Sequence, residues 1–350
     1  MAKKFDVVIG NPPYQAEAQG EGTRDTPIYH EFMDAAYEVS KQAVIITPAR
    51  FLSNAGFTPK VWNAKMLADP HVRVAYFEPD SNRLFPGLTD PIKGGIVVTH
   101  RDSERNLGPI GFFAKSTELS TILHKVLGLG AAFIDVDVSS GRAYAFTKAM
   151  HDQHPEASII MSSDAQFRVS TNAFDQLAFL FHADHPDDGG EYVRVLGVLK
   201  NKRAVRWIRS EYITKPESID KYKVAVPAAN GSGSTTDFFG VALNNPTVLG
   251  PGTGVTQTFI TIGSFDTEAE GEACLKYTKS KFARAMLGIL KVTQHNPRAT
   301  WKFVPTQNFT PASDIDWSQD IPGIDAQLYA KYGLSDDEIA FIEEHVKSMD

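Results

Sequence analysis

One short segment near the start of the chain combines the groups needed to hold a planar base that carries an amino group. Asn11-Pro12-Pro13-Tyr14 directly follows an apolar run. Asn11 offers a side-chain carbonyl and Pro12 a backbone carbonyl, so two acceptors can converge on both hydrogens of an exocyclic NH2. The Tyr14 ring offers a face for a base taken out of its stack. The alternative interpretation is that the two prolines simply end a strand.

The segment that precedes this loop determines where the loop lies. Residues 5–9 are mostly apolar and β-branched, which predicts a short buried strand. Gly10 ends the strand, and the two prolines forbid both a helix interior and a continuing ladder. Because ligands bind at strand ends in open α/β sheets, the loop is expected at a binding position.

The next hundred residues alternate between strand and helix patterns. Helical spacing or helix-start signals and apolar runs predict helices over 27–40 and 59–68 and strands over 42–47, 72–77 and 95–99. This alternation indicates an α/β fold, with parallel order expected for the first three strands.

The Asn11-Pro12-Pro13-Tyr14 segment resembles the catalytic motif of the DNA amino-methyltransferases that modify adenine N6 in restriction–modification systems. The resemblance implies a Rossmann-like methyltransferase sheet, S-adenosylmethionine as methyl donor and a flipped adenine as acceptor. It also implies that Asn11, Pro12, Pro13 and Tyr14 are the catalytic residues. On this basis residues 1–115 are the catalytic half of a methyltransferase domain.

In that family the methyl donor lies on the other half of the sheet, on a glycine-rich turn. Only Met1 to Lys4 precede the catalytic strand, so the donor-binding residues are left unassigned. The first strand is expected to have an open hydrophobic edge that needs a cover, either a partner subunit, a second copy or a rearranged segment of this chain. Residues 250–254 form a glycine cluster, but residues 255–262 alternate like a strand, which favours a hairpin or barrel corner over a donor turn.

The charge of the chain is unevenly distributed. Its net charge is −7, yet residues 192–223 hold nine basic and three acidic residues with interleaved aromatic residues. Basic side chains hold phosphates and aromatic rings stack on bases, so this region predicts contact with double-stranded DNA, against the alternative of an ordinary solvated face. The predicted DNA-binding residues, including one from the polar loop that follows, are Lys200, Lys202, Arg203, Arg206, Arg209, Lys223 and Asn230.

Several features exclude other classes of protein. One cysteine, Cys274, excludes a disulfide framework and points to a reducing cytoplasm. No apolar run is long enough for a membrane span, and no signal peptide is evident. The histidines and aspartates of residues 182–188 lie among proline and glycine, which favours a solvated loop over a metal site, and no metal is expected.

The second half of the chain resembles, more loosely, the target-recognition half of type IIG single-chain methylases. The similar segments include Thr258-Phe259-Ile260-Thr261-Ile262-Gly263 and the tail that begins at Leu328-Tyr329-Ala330. We therefore expect a partial Rossmann-like sheet, a mixed α+β target-recognition domain over 116–312 and a helical tail over 313–350. Three alternatives remain: a DNA-binding specificity module that cannot bind donor, a chain active only with a partner that brings the donor half, and a methyltransferase acting on RNA or protein.

Overall fold

The computed structural model of the chain describes residues 3–16, 25–53, 57–87, 91–114, 116–229, 243–291 and 294–349. The chain divides into two compact units, Met1–Ser120 and Thr121–Asp350. Both units mix helices with small sheets, so the fold is of the mixed α/β kind.

The first unit contains six strands and three helices in the described residues. They are β1 (Phe5–Gly10), β2 (Gln15–Ala16), β3 (Thr26–Pro27), α1 (Tyr29–Val39), β4 (Ser40–Pro48), α2 (Lys60–Ala68), β5 (Val72–Glu78), α3 (Ser81–Leu84) and β6 (Ile96–Asp102). All four predicted strands and both predicted helices of this region are present, within two residues at most boundaries.

The main sheet of the first unit has the order β1-β4-β6-β5. β1 pairs with β4 in parallel, with Gly10 opposite Ile45, whereas β6 is antiparallel to both β4 and β5. β1, β4 and β5 therefore run in the same direction, as predicted, but only β1 and β4 are direct neighbours. β6 is inserted between β4 and β5, and the sequence pattern of a plain strand contained no signal for this insertion.

One face of this sheet is covered by helices. Tyr29 and Met33 of α1 and Trp62 of α2 are buried in one cluster with Ala43 and Ile45 of β4. The Trp62 indole also donates a hydrogen bond to Asp34 at 3.0 Å, which joins the two helices. The apolar periodicity of these helices thus buries them against the sheet face that carries the inward side chains of β4.

In its described residues the second unit contains eight strands, and it holds most of the described helices. α4 (Thr117–Gly128) begins just before it. The remaining elements are β7 (Ala145–Phe146), α5 (Lys148–Gln153), α6 (Pro155–Ile160), α7 (Ala173–Gln176), β8 (Tyr192–Leu199), β9 (Lys202–Arg209), β10 (Ile213–Thr214), β11 (Tyr222–Pro227), β12 (Thr247–Leu249), β13 (Thr253–Val255), β14 (Phe259–Phe265), α8 (Glu268–Lys279), α9 (Lys281–Leu290), α10 (Ile321–Lys331) and α11 (Asp336–His345).

Three small sheets organise this unit, with the orders β13-β8-β9, β12-β11-β14 and β10-β7. β8 and β9 form an antiparallel hairpin that pairs along its full length. Val195 and Ile208 of this hairpin and Leu249 and Phe259 of the neighbouring strands are buried in the same cluster. The sheets therefore share one core.

The C-terminal residues are part of the second unit. The Asp325 carboxylate accepts the backbone N–H groups of Lys281 and Phe282 at 3.0 and 2.9 Å, at the start of α9. The Phe282 and Tyr332 rings stack at 4.8 Å. Asp325 and Tyr332, within the predicted helical tail over 313–350, thus contact α9 directly.

No helix in the described part of the chain is both long and apolar enough to cross a membrane. Among the same residues there is no group of three or more histidine, cysteine and acidic side chains placed to hold a metal ion.

Candidate methyl-acceptor loop and basic hairpin

The Asn11-Pro12-Pro13-Tyr14 loop lies directly at the carboxyl end of β1. Gly10 is the last residue of the strand, and β4 runs beside it in parallel and continues to Pro48. Asn11 and Pro13 are exposed, whereas Pro12 and Tyr14 are half-buried. The amide of Asn11 is therefore accessible at a strand end, where the sequence predicts a binding position.

Within this loop the two polar side chains bond to each other. The Tyr14 hydroxyl donates a hydrogen bond to Asn11 Oδ1 at 2.7 Å. Burial raises the pKa of the Tyr14 hydroxyl, and the bond to Asn11 opposes this shift in part. Tyr14 thus remains a neutral donor through neutral pH, and it holds the Asn11 carbonyl in a defined orientation.

The residues after Tyr14 fix the loop to the rest of the first unit. The Tyr14 carbonyl accepts the Ile28 N–H at 3.1 Å, and β2 pairs with β3 in an antiparallel ladder. The Gln15 side chain donates to Asp25 at 2.7 Å. The Tyr14 ring also packs against the core cluster of α1 and β4. The loop is therefore held from its downstream end as well as from β1.

β1 is the outermost strand of its sheet among the described residues, and one of its faces is exposed. Phe5, Val7 and Ile9 are 55%, 50% and 77% exposed, whereas Val8, on the opposite face, packs against the core cluster. Alternating side chains of one strand point to opposite faces, so these three form one apolar stripe. This stripe agrees with the expected hydrophobic edge.

The glycine cluster of residues 250–254 is a corner between two sheets. It connects β12, in the β12-β11-β14 sheet, to β13, in the β13-β8-β9 sheet. The Gly252 N–H donates to Ile219 at 2.9 Å, and the Pro251 carbonyl accepts from Arg194 at 2.9 Å. Because the turn joins two strands and opens no helix, it does not fit a site for S-adenosylmethionine, as the sequence pattern indicated.

The basic region folds as the β8–β9 hairpin. Lys200 and Asn201 both have positive φ, +47° and +62°, and form the two-residue turn between the strands. Lys200 and Lys202 are exposed at this tip. The hairpin thus places two lysines together at its end, while Arg206 lies half-buried further along β9.

Two of the predicted DNA-binding arginines have partners inside the protein. Arg203 donates to the backbone carbonyls of Asn244 and Asn245, and its guanidinium lies 5.1 Å from the Phe259 ring centre. Arg209 pairs with Asp188 and lies 5.4 Å from the Tyr192 ring centre. Both remain at the surface in part, but each already has hydrogen bonds that contact with a phosphate would have to replace or share.

Lys223 is not part of this basic surface. Its side chain is fully buried, and the ammonium donates to the carbonyls of Ser218, Ile219 and Lys221 at 2.9, 3.1 and 2.8 Å. Burial lowers the pKa of Lys223 to about 8. We therefore exclude Lys223 from the candidate interface, because its side chain is buried and bonded to three carbonyls of the turn before β11. Asn230 lies outside the described residues.

An aromatic cluster on the hairpin was not foreseen from the sequence. The His185 ring packs edge-on against both Trp207 and Tyr192, at 4.8 and 5.3 Å between ring centres. His182 pairs with Trp207 through two backbone hydrogen bonds of 2.8 and 2.9 Å. Residues 182–190 are mostly exposed, as their proline and glycine content predicts, and these contacts tie them to the hairpin. Long-range pairing of this kind leaves no local signal in the sequence.

Comparison with known proteins gives a family match over the N-terminal segment. Residues 1–85 match the model of the Eco57I restriction-modification methylase family, a range that covers β1, the Asn11-Pro12-Pro13-Tyr14 loop and most of the first sheet. A search of the curated proteins gives no match. Residues 1–85 are thus similar to restriction–modification methylases.

Two of the matching solved structures are restriction–modification enzymes. One is the type IIG restriction endonuclease BpuSI, with 11% identity and a TM-score of 0.33 over 93% of this chain and 48% of that chain. The other is the type IIL restriction-modification enzyme MmeI in complex with DNA, with 9% identity and a TM-score of 0.37 over 97% of this chain and 57% of that chain. The present chain therefore spans about half the length of these two proteins.

Proposed function

We propose that this chain carries the acceptor site of an S-adenosylmethionine-dependent DNA methyltransferase that modifies adenine N6 in a restriction–modification system. The observation that carries the proposal is the Asn11-Pro12-Pro13-Tyr14 loop at the carboxyl end of β1, with the Asn11 amide accessible and oriented by Tyr14. The match of residues 1–85 to a restriction-modification methylase family supports the reaction class.

In this proposal the loop binds and orients the amine of a flipped adenine. Asn11 Oδ1 and the Pro12 carbonyl accept its two hydrogens, and the Asn11 bond to the Tyr14 hydroxyl is shared or released as the amine arrives. The Tyr14 ring stacks on the base. Held in this way, the amine nitrogen has its lone pair pointing away from both acceptors. The lone pair is then free to attack the electrophilic methyl group of the donor.

The methyl donor is proposed to bind on a segment that covers β1. S-adenosylmethionine supplies the electrophilic methyl group, and the glycine corner at residues 250–254 does not fit it. The exposed stripe of Phe5, Val7 and Ile9 is the surface on which a partner subunit, a second copy or a further segment would pack. Burial of such a stripe would remove apolar area from water, and pairing along the outer side of β1 would close the open sheet edge.

The DNA-facing surface is proposed to include the tip and exposed side of the β8–β9 hairpin. Lys200 and Lys202 are exposed there, and Arg206, Arg203 and Arg209 follow along β9. Such residues hold phosphates without reading sequence, and they position the duplex so that a base can be flipped. This assignment retains the predicted basic region, without Lys223.

A second candidate function is a DNA-binding specificity module that has no methyl donor of its own. The exposed stripe on β1 and the strand-to-strand character of the glycine corner favour it. Equilibrium binding of S-adenosylmethionine to the purified chain, alone and with the covering segment, separates the two functions. Donor binding and methyl transfer with the covering segment support the methyltransferase. Tight donor binding by the chain alone would contradict the proposed location of the donor.

The nature of the acceptor is tested by methyl transfer from labelled S-adenosylmethionine to three substrates: adenine-containing DNA, RNA and protein. We expect label in DNA, recovered as N6-methyladenine. Label that appears only in RNA or protein would support methyl transfer as the reaction. It would contradict DNA as the substrate.

A further inference from the structure

A surface pocket in the second unit is lined by cationic and neutral polar groups. It has a volume of about 460 Å³, and its walls are Ser140, Gly141, Arg142, Arg168 and Gln257. Two arginines, a serine and a glutamine thus line one pocket, and no acidic residue is among its lining residues. These residues lie outside the basic region of 192–223.

The two arginines retain capacity for a ligand. Arg142 is exposed. Arg168 is half-buried, and its closest carboxylate oxygen, on Asp164, lies 3.8 Å away, beyond hydrogen-bond distance. A guanidinium presents a planar set of donors that matches two oxygens of a phosphate at once. The charge of Arg142 is therefore available to an anion, and Arg168 shares its charge with Asp164 across 3.8 Å without a hydrogen bond.

A second pocket of the same unit has a different charge balance. Its walls are Glu191, Arg209, Ser210, Glu211 and Lys215, so two carboxylates balance two cations. Arg209 pairs with Asp188, and the Lys215 ammonium donates to Ser210. An anion that entered this second pocket would meet like charge. Of these two pockets, the one with Arg142 and Arg168 has positive charge without acidic residues in its walls.

Backbone hydrogen bonds hold the walls of the arginine pocket in place. Ser139 and Thr261 bond through two contacts of 2.8 Å, from the Ser139 N–H to the Thr261 carbonyl and from the Thr261 N–H to Ser139 Oγ. The Gln257 N–H donates to Val169, next to Arg168, at 2.9 Å. Three separate chain segments are thus tied together around the pocket. A site fixed in this way loses little conformational freedom on binding.

We infer that this pocket binds a phosphate group of a nucleic-acid backbone, through Arg142 and Arg168, with Gln257 and Ser140 as further hydrogen-bonding groups. The inference rests on the proposed action on DNA and adds to it a phosphate contact outside the basic hairpin. The pocket is open to the surface, so it can admit one phosphodiester of a chain that continues on both sides.

The test compares the salt dependence of duplex DNA affinity in the wild-type chain and in Arg142→Gln, Arg168→Gln and Lys347→Gln variants. Each phosphate contact contributes a slope of about −0.9 to the dependence of log affinity on log salt. We expect Arg142→Gln and Arg168→Gln each to flatten the slope by up to about one unit for this reason. Lys347→Gln removes the same charge at an exposed position outside the pocket walls and should leave the slope unchanged.

A second arm measures binding of inorganic phosphate by the shift in thermal unfolding at constant ionic strength. Duplex binding with an unchanged slope in both arginine variants would overturn the pocket assignment and leave the proposed function intact. Phosphate binding lost in Arg142→Gln, together with an unchanged DNA slope, would assign the pocket to a free anion and also overturn the inference. Absence of duplex binding by the wild-type chain would overturn the inference, and methyl transfer to RNA or protein would then decide the proposed function separately.

Discussion

The Tyr14 hydroxyl donates a 2.7 Å hydrogen bond to Asn11 Oδ1, the side-chain acceptor of the candidate amine site. The residue proposed to stack on the base therefore also holds the residue proposed to bind its amine. The two roles of Tyr14, ring and hydroxyl, can be separated by mutation.

Tyr14→Phe is expected to leave methyl transfer within a few-fold of wild type, because the phenyl ring keeps the stacking face. Tyr14→Ala should lower kcat/KM by about 5- to 150-fold, which corresponds to the 1–3 kcal/mol typical of a base–aromatic stack. The measurement is steady-state transfer to duplex DNA with the donor-binding segment present. Equal losses in both variants would show that the hydroxyl bond to Asn11, and not the ring, is what the reaction needs.

The same substitution should change the free energy of unfolding by different amounts at two adjacent residues of β1. Ile9 is 77% exposed, so Ile9→Gln should change the free energy of unfolding of the isolated chain by less than about 0.5 kcal/mol. Val8 packs against the core cluster, so Val8→Gln should cost about 2 kcal/mol or more because it brings a polar group to a packed apolar face. Denaturant unfolding measures both values.

Two exposed residues of β1, Phe5 and Ile9, test the covering segment. Phe5→Gln and Ile9→Gln should weaken association with the donor-binding segment, since both side chains belong to the exposed stripe. Unchanged association in the double variant, measured by analytical ultracentrifugation or titration calorimetry, would mean that the covering segment does not pack on this stripe.

The tip of the β8–β9 hairpin should dominate the electrostatic part of DNA binding by this hairpin. Lys200→Gln and Lys202→Gln are each expected to flatten the salt slope by up to about one unit. Arg203→Gln and Arg206→Gln should have smaller effects, because Arg203 donates to two carbonyls and Arg206 donates to the Val205 carbonyl and is half-buried. Lys148→Gln, which removes a charge paired with Asp152, serves as the control. Equal salt slopes in the wild type and all variants would show that the hairpin does not contact DNA phosphates.

Lys223 should make stability depend on pH above neutrality. Burial lowers its pKa from 10.5 to about 8, so between these values the unfolded chain binds more protons than the folded chain. The free energy of unfolding contributed by this group therefore rises with pH across that window, by at most about 3 kcal/mol. Lys223→Met should remove this rise. Parallel pH profiles of wild type and variant between pH 8 and 10 would contradict the assignment.

The sequence predicted the first unit well because its elements carry local signals. Apolar runs ended by glycine or proline marked β1 and β4, and helical spacing with a preceding proline marked α1. In the second unit the sequence pattern over 268–287 predicts a single long helix. The structure has α8 and α9 instead, because the Ser280 side chain accepts the Ala283 N–H and begins a new helix. A serine in an apolar helical pattern is a weak signal of a break.

The candidate site was predictable only in part, for a related reason. Asn11 to Tyr14 are consecutive, so one motif contains them all. The residues that bond to the arginines of the basic region are distant in sequence. Arg203 donates to carbonyls more than 40 positions away. Arg209 pairs with Asp188, which precedes the hairpin. Lys223 looked like a surface cation because its neighbours Lys221 and Tyr222 are a basic and an aromatic residue. Its burial depends on the turn at 218–221, which composition does not reveal.

The central claim is that Asn11 binds the amine of an adenine during methyl transfer. The most direct measurement is formation of N6-methyladenine in duplex DNA by the wild-type and Asn11→Ala chains, each with the donor-binding segment and S-adenosylmethionine, with DNA affinity measured in parallel. We predict a loss of roughly 100-fold or more in rate, by analogy with removal of one preorganised hydrogen-bonding group, and affinity for DNA close to wild type. N6-methyladenine formed at the wild-type rate by Asn11→Ala, or a loss of DNA binding that accounts for its inactivity, would contradict the claim.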